Sequence, residues 1–458
     1  MKTSYLLFDA GNGDAGKGKT ERAYAERFSI DLVLRKGNAG GGHNDYDNHG
    51  QHHTFSQISS PAFFGAHTHL TRLMTVDPVA LLFEARHLEE LGYRGILTRQ
   101  SIHRLAPVIS PFQRSANRVR ETARDKNRHG SVGVGVGETM ADALNVPTHI
   151  IRAGDLLQPD ILRKKLEWLQ RYKHEQMEGD MATVHDLPLI EQDLRWLTGP
   201  SIVERAVEAL SQAGKLIRIT DDTYLPFLLA QDRDVIFGGS QGVLIDEWHG
   251  FAPYHTWTDS TTKGAEAVLK ENNFDGQIVR VGIFRAYGVR HGPGPFVSED
   301  TELSSLIVDP HNLNNEWQRD FRIGWFDRVA IAYGIEANGG AEELVITCFD
   351  QIANLPEWKI CTAYRLPDGD YDRDKFFHLD PNDRSLATGI RLGPEKDLEH
   401  QAKLAEILMH CTPVYGLTIR GTFEERVEGF INMIERDLKV RVCLTSFGPY
   451  SQDNRWRF

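Results

Sequence analysis

The stretch that decides the fold is Gly13-Asp14-Ala15-Gly16-Lys17-Gly18-Lys19-Thr20. It fits the phosphate-loop pattern G-x-x-x-x-G-K-[ST], which carries meaning only between a strand and a helix. Both neighbours are present. Residues 5–9 form a short apolar run that predicts a buried strand, and residues 20–27 predict a helix. Glycines let backbone N–H groups approach phosphate oxygens, the helix N-terminus adds a positive dipole, and the lysines add charge. Taken alone, the loop allows two readings. One is a simple phosphate-loop NTPase, with Lys19 on the phosphates and Thr20 on magnesium. The other treats Gly13 to Lys19 as one unit, longer than a simple phosphate loop and carrying an aspartate, Asp14.

A second apolar run at residues 30–34 follows the first helix, giving strand, loop, helix, strand, the start of an α/β sheet. Further buried strands are expected at 234–237, 278–283 and 344–347. Asp77 and Pro78 open a helix that runs to Gly92. Residues 161–179 predict a charged amphipathic helix. Ser201 with Glu204, and Thr422 with Glu425, have capping-box spacing. Residues 296–317 are polar and poorly patterned and read as loop. The expected architecture is α/β, with a central, mostly parallel twisted sheet. Residues 1–458 are read as one domain, with inserted helical subregions at about 77–130 and 155–215.

Composition narrows the function. Lys plus Arg is 52 and Asp plus Glu is 64, a net charge of −12, which argues against a non-specific nucleic-acid binder. The 41 glycines gather in a few loops rather than spreading evenly. Cys348, Cys361, Cys411 and Cys443 form no C-x-x-C pair, which predicts a reduced, cytoplasmic setting. No run approaches the ~20 apolar residues of a membrane span, and the N-terminus does not read as a signal peptide. His43, His49, His52, His53, His67 and His69 crowd one segment. Without cysteines or an H-E-x-x-H helix, they read as polar and packing residues rather than a zinc site.

Several later segments carry a resemblance. The loop Gly-Asp-Ala-Gly-Lys-Gly-Lys resembles the GDEGKGK loop of adenylosuccinate synthetases. RKGNAGGGH (35–43) resembles that family's RxxGGxNAGH loop, and GSVGVGVG (130–137) its GTTGRGIG loop. FGGSQGVLID (237–246), YGVRHGPGPFVSE (287–299), IGWFD (323–327), TCFD (347–350) and the Ser446–Pro449 segment follow in the family's order. The resemblance implies a ligase joining L-aspartate to the 6-position of IMP, with GTP and Mg2+, through a 6-phosphoryl intermediate. It implies Asp14 as the base for the N1 proton and as a metal ligand, with the Gly42 carbonyl as a second. It implies His43 as the acid on the transferring phosphoryl group. Gly13, Gly16, Lys17, Gly18 and Lys19 would hold phosphate; Asp350 and Gly448 would face the base of the triphosphate. Asn38, Ser131 and Gln241 would hold the purine monophosphate, and Arg290 the aspartate carboxylates. A homodimer is implied as well.

The chain also departs from the family's pattern. Ala15 stands for a glutamate, two extra glycines enter the NAGGGH loop, and Ser131 and Val134 replace threonine and arginine. Gly288 and Val289 replace two threonines, and Cys348 replaces a lysine in the guanine region. The partner-reaching arginine has Arg152 as its nearest, late match. Asn315-Glu316-Trp317-Gln318 resembles a phage and microbial branch, some of whose members act on dGMP with ATP or dATP. In that branch the loop aspartate is typically a smaller residue. Retention of Asp14 favours a purine without a 2-amino group. The alternatives left open are a 2-aminoadenylosuccinate synthetase and a nucleotide-binding homologue with altered catalysis.

Overall fold

The computed structural model describes residues 2–307, 309 and 321–457. Among these, ten strands form one sheet. In spatial order they are Asn454–Trp456, Arg441–Ser446, Glu343–Thr347, Gln277–Arg285, Thr3–Asp9, Val235–Gly242, Leu32–Asn38, His67–Thr75, Gln100–His103 and Arg218–Thr220. Every neighbouring pair is parallel except the edge strand Asn454–Trp456. The expected α/β sheet is present, and its first strand lies near the middle.

The apolar runs follow from this position. A parallel strand covered on both faces is buried along its whole length, so its side chains do not alternate in polarity. All seven residues of Leu32–Asn38 are buried. The strands at the sequence-read positions 5–9, 30–34, 234–237, 278–283 and 344–347 are all found, and most extend beyond those limits. Two short strands, Gln100–His103 and Arg218–Thr220, were not foreseen because four and three residues carry no periodicity.

Helices make up most of residues 77–130 and 155–215, the first stretch being interrupted by the strand Gln100–His103. They include Pro78–Glu90, capped by Asp77, and Pro111–Ala123, capped by a Ser110–Gln113 box. They also include Pro159–Thr183, Leu187–Thr198 and Ile202–Leu216. Their apolar faces share a core with the far half of the sheet, including Leu70, Ile102, Phe112, Leu166 and Leu210.

Three local expectations need correction. Ser201 precedes Ile202–Leu216 but forms no capping box: its backbone is not extended (φ −93°, ψ 1°), and Glu204 instead pairs with Arg163. Thr422 and Glu425 do form theirs. The 296–317 region is not all loop, because Asp300 caps a short helix, Thr301–Leu306, by accepting from Leu303 N–H (2.9 Å). The Asn315–Gln318 segment lies outside the described residues. The predicted first helix also starts earlier, at Lys17.

Candidate active site

In parallel sheets ligands gather outside the carboxyl ends of the strands. Six strands end at the same cleft here. Thr3–Asp9 runs into the glycine loop, and Leu32–Asn38 ends on Asn38. Val235–Gly242 carries Gln241, Gln277–Arg285 ends on Arg285, Glu343–Thr347 leads to Asp350, and Arg441–Ser446 leads to Gly448. The cleft measures about 890 Å³, near the upper end for ligand sites. All the site residues named from sequence line it: Gly13, Asp14, Gly16, Lys17, Gly18, Lys19, Asn38, Gly42, His43, Ser131, Gln241, Arg290, Asp350 and Gly448.

The first loop is held by buried charge. Asp9 accepts from the N–H of Gly11 (2.8 Å) and Ala15 (3.0 Å), and from Lys17 Nζ (3.2 Å). Gly13, Asp14 and Gly16 all have positive φ (110°, 59° and 80°). Aspartate is one of the few side chains that tolerates this region. Successive residues of this kind turn backbone N–H groups inward, an anion-binding concavity. Gly18 is required by space, since a Cβ there would lie 2.7 Å from both His43 Cβ and Ser60 Oγ. Lys19 reaches Ser446 Oγ, and burial holds its amine below the usual lysine range. Thr20 does not line the cleft. Its hydroxyl donates to the Gly16 carbonyl (3.0 Å), so the simple NTPase assignment of Thr20 to magnesium is corrected.

Asp14 sits at 3.3 Å from His291 Nε2 through Oδ2. Burial pushes its carboxyl up. The hydrogen bond and charge of His291, then Arg285 and Lys17, outweigh burial and leave it below the usual carboxylate range. It is therefore ionised at neutral pH. His43 begins a hairpin, His43–Tyr46 with His52–Phe55. Burial, with Arg35 and Lys17 nearby, holds it well below the usual histidine range, and neither ring nitrogen has a hydrogen-bond partner among the described residues. A buried polar group without a partner is unfavourable unless a ligand supplies one.

Asn38 and Gln241 lock together. Asn38 Nδ2 donates to Gln241 Oε1 (3.0 Å) and Thr258 Oγ1 (2.8 Å), while Gln241 Nε2 donates back to Asn38 Oδ1 (3.1 Å). Ser131 Oγ donates to Asn117 Oδ1 (2.9 Å), and its N–H to Glu121 Oε2 (3.3 Å). Arg290 is buried, and its guanidinium meets only neutral acceptors among the described residues: Asn12 Oδ1 (2.7 Å), Tyr254 O (3.0 Å) and Pro293 O (3.1 Å). Burial pulls it down to about 9. A guanidinium with no carboxylate partner among the described residues suits a carboxylate ligand. Asp350 accepts from Gln351 Nε2 (2.8 Å). At Gly448 a Cβ would lie 2.4 Å from Asp453 Oδ2.

Sequence reading missed Arg285, Thr347, Asn12, His291 and Glu121. Arg285 Nε donates to the Asp14 carbonyl (2.6 Å), and Thr347 Oγ1 to the Ala15 carbonyl (2.9 Å). Arg285 had one usable signal: it is a charged residue closing an apolar run ahead of the YGVRHG motif. Arg152 does not line the cleft; it bonds the Leu105 carbonyl (2.7 Å). Of the other crowded histidines, three are tied into the fold by hydrogen bonds. His67 and His69 share Ser101 Oγ (2.8 and 2.9 Å), and His52 bonds Asn44. No group of three or more metal-ligating side chains occurs among the described residues. No described helix is long and apolar enough to cross a membrane.

Two solved structures share the fold across the whole chain. One is a fully ligated adenylosuccinate synthetase from Plasmodium falciparum, with a TM-score of 0.75, 19% identity and 99% of each chain covered. The other is a succinoaminodeoxyadenylate synthetase from cyanophage S-2L bound to dGMP and dATP. Its TM-score is 0.60 at 15% identity, covering 100% of this chain and 95% of that one. By sequence, the adenylosuccinate synthetase of Chlorobium limicola is 28% identical over 483 residues, covering 100% of this chain and 98% of the relative. That of Synechocystis sp. is 32% identical over 373 residues, covering 80% and 79%. The family model described as adenylosuccinate synthetase matches residues 8–454. The chain belongs to the adenylosuccinate synthetase family of nucleoside-triphosphate-dependent ligases.

Proposed function

We propose that this chain joins L-aspartate to C6 of IMP, with GTP as phosphoryl donor, releasing adenylosuccinate, GDP and phosphate. The observation that carries the reading is the Asp14 carboxylate, 3.3 Å from His291, on a phosphate loop that shares one cleft with buried His43 and Arg290. Asp14 takes the N1 proton of the purine, and the 6-oxyanion so formed attacks the γ-phosphate. Phosphoryl transfer needs positioning and charge neutralisation more than covalent chemistry from the protein. Backbone N–H groups of the loop, with Lys17 and Lys19, supply both. His43 donates an N–H to the transferring group; the incoming triphosphate brings the negative charge that favours its protonated form. Arg290 holds an aspartate carboxylate while the amine displaces the 6-phosphoryl group.

The donor set fits Mg2+. The Asp14 carboxylate and the Gly42 carbonyl are hard oxygen ligands, and Mg2+ is ordinarily held by one or two carboxylates together with substrate phosphates. When bound, the ion neutralises charge on the β- and γ-phosphates. The free thiols at Cys348, Cys361, Cys411 and Cys443 support a reducing, cytoplasmic setting. The family resemblance supports a homodimer, and we read the chain as one catalytic unit.

A second reading is dGMP with ATP or dATP. Cys348 in place of a lysine near the triphosphate base, and Gly288 and Val289 in place of hydroxyl donors, favour it. A substrate screen separates the two. IMP, dIMP, GMP and dGMP are each paired with aspartate and with GTP, ATP or dATP, and the succinylated product is read by mass. Product from IMP with GTP is the expected result. Product from dGMP alone selects the second reading, and phosphate release indifferent to aspartate sinks both.

A further inference from the structure

Asp14 is fixed at its backbone by two long-range bonds. Arg285 holds its own carbonyl and Thr347 the carbonyl of Ala15. Neither bond fixes the carboxylate. The last torsion of an aspartate is broad and two-fold, so backbone restraint leaves the two oxygens free to rotate. Among the described residues one side chain meets that carboxylate, and it is His291, with Nε2 at 3.3 Å from Oδ2.

The placement of His291 is itself specified. It ends the strand Gly288–His291, which pairs antiparallel with Phe321–Gly324. Successive side chains on a strand point to opposite faces. Arg290 therefore turns to Asn12, two residues before Asp14, while His291 turns to Asp14 itself. The strand grips the phosphate loop at two points. The His291 ring also packs against Phe321, with centroids 4.7 Å apart. Both side chains keep an edge to the cleft, with 18% of His291 and 26% of Asp14 exposed.

We propose that His291 is a positioning residue for the base: its Nε2–H holds Oδ2 of Asp14 and leaves Oδ1 aimed at the purine N1 proton. The inference rests on the reading of Asp14 given under Proposed function. A reacting group misplaced by about an ångström loses about 100-fold in rate, and removing an outer-shell partner typically lowers activity by about 10- to 100-fold.

The test uses the full-length enzyme with IMP, aspartate and GTP, or with whichever pair the screen selects. H291F keeps a ring against Phe321 and removes the N–H; H291L removes both and covers a failure of H291F to fold. H291Q restores an N–H near the position of Nε2. The expected result is a fall in kcat of about 10- to 100-fold in H291F and H291L, with each KM within about twofold. H291Q should recover most of the loss. Combined with D14N, H291F should add nothing, because a residue acting through Asp14 has no effect once the base is gone. Wild-type kcat in H291F and H291L overturns the proposal. So does an equal loss in H291Q, a loss confined to KM, or multiplying losses in the double variant. A wild-type enzyme silent with every pair overturns the parent reading as well, whereas an active wild type with unaffected H291F and H291L overturns this inference alone.

Discussion

Two glycine loops line the cleft, and they are built in different ways. The loop from Gly11 to Gly18 grows directly from a central strand and runs into a helix, and its main anchor, Asp9, ends that same strand. The loop from Gly130 to Gly137 has no strand beneath it. It hangs from the helix Pro111–Ala123: Glu121 accepts from the N–H of His129 (3.1 Å) and Ser131 (3.3 Å), Asn117 accepts from Ser131 Oγ, and Arg118 donates to the Gly133 carbonyl (2.9 Å). That helix is tied outward by charge, through Arg120 to Glu138 (2.7 Å), with Lys173 between Glu138 (2.8 Å) and Asp142 (2.6 Å). The first loop is anchored at its base by its own strand and pinned further along by Arg285 and Thr347 from distant strands; the second hangs from the helix that immediately precedes it in the chain. On the proposed function, chemistry falls on the first loop and recognition of the purine monophosphate on the second.

The largest expected effect tests the first half of this contrast. D14N keeps the loop's shape and removes the base, so kcat should fall about 1000-fold while the melting temperature stays within a few degrees. Retention of more than about a tenth of the wild-type kcat would place the base elsewhere. Next is G18A, whose new Cβ must displace His43 or Ser60. It should lower kcat about 100-fold and cost about 1–3 kcal/mol in denaturant unfolding; an unchanged enzyme would mean that the helix start and His43 need not approach so closely.

E121Q tests the second half. Glu121 holds both loop N–H groups on Oε2 and Arg124 on Oε1; an amide has one acceptor oxygen and cannot serve both, so the loop's anchor is weakened. The KM for the purine monophosphate should rise about tenfold, with the KM for the triphosphate unchanged. If both KM values rise together, the two loops are not separable and the contrast fails.

The smallest effect concerns acid stability. Burial holds His43 neutral in the folded chain at a pH where the unfolded chain, with an ordinary value of 6.5, takes up a proton. The unfolded state then binds more protons, so stability from this residue is present above about pH 6.5 and is lost as pH falls below it. His129 beside the second loop is also lowered, by burial and Arg124, but Glu121 pulls the other way. Melting from about pH 7.5 down to 5 should therefore flatten more in H43Q than in H129Q, by about 1 kcal/mol. Equal flattening would show that the two loops bury their histidines to the same effect.

The contrast also marks what could be read in advance. Strand, glycine loop and helix at residues 3–28 were legible because each signal is local: an apolar run, residues that tolerate positive φ, a helix start. The capping box at Thr422 was legible for the same reason. The box at Ser201 was not, because Glu204 had a stronger partner in Arg163, 41 residues away. The helix Thr301–Leu306 was missed because six residues leave almost no periodicity to read. Resemblance brought Asp14, His43, Arg290 and Asp350 to notice from motif order, and all of them line the cleft.

The sequence by itself determined the α/β class, the phosphate loop and the family, since backbone preferences, strand burial and motif order are written within short windows. Only the tertiary structure decided which side chains hold those loops in working positions. Arg285 meets Asp14 across 271 residues, Thr347 meets Ala15 across 332, and His291 reaches Asp14 from a strand that sequence reading had not set beside it. Such contacts leave no local pattern, because the sheet sets the distance between strand ends whatever length of chain lies between them.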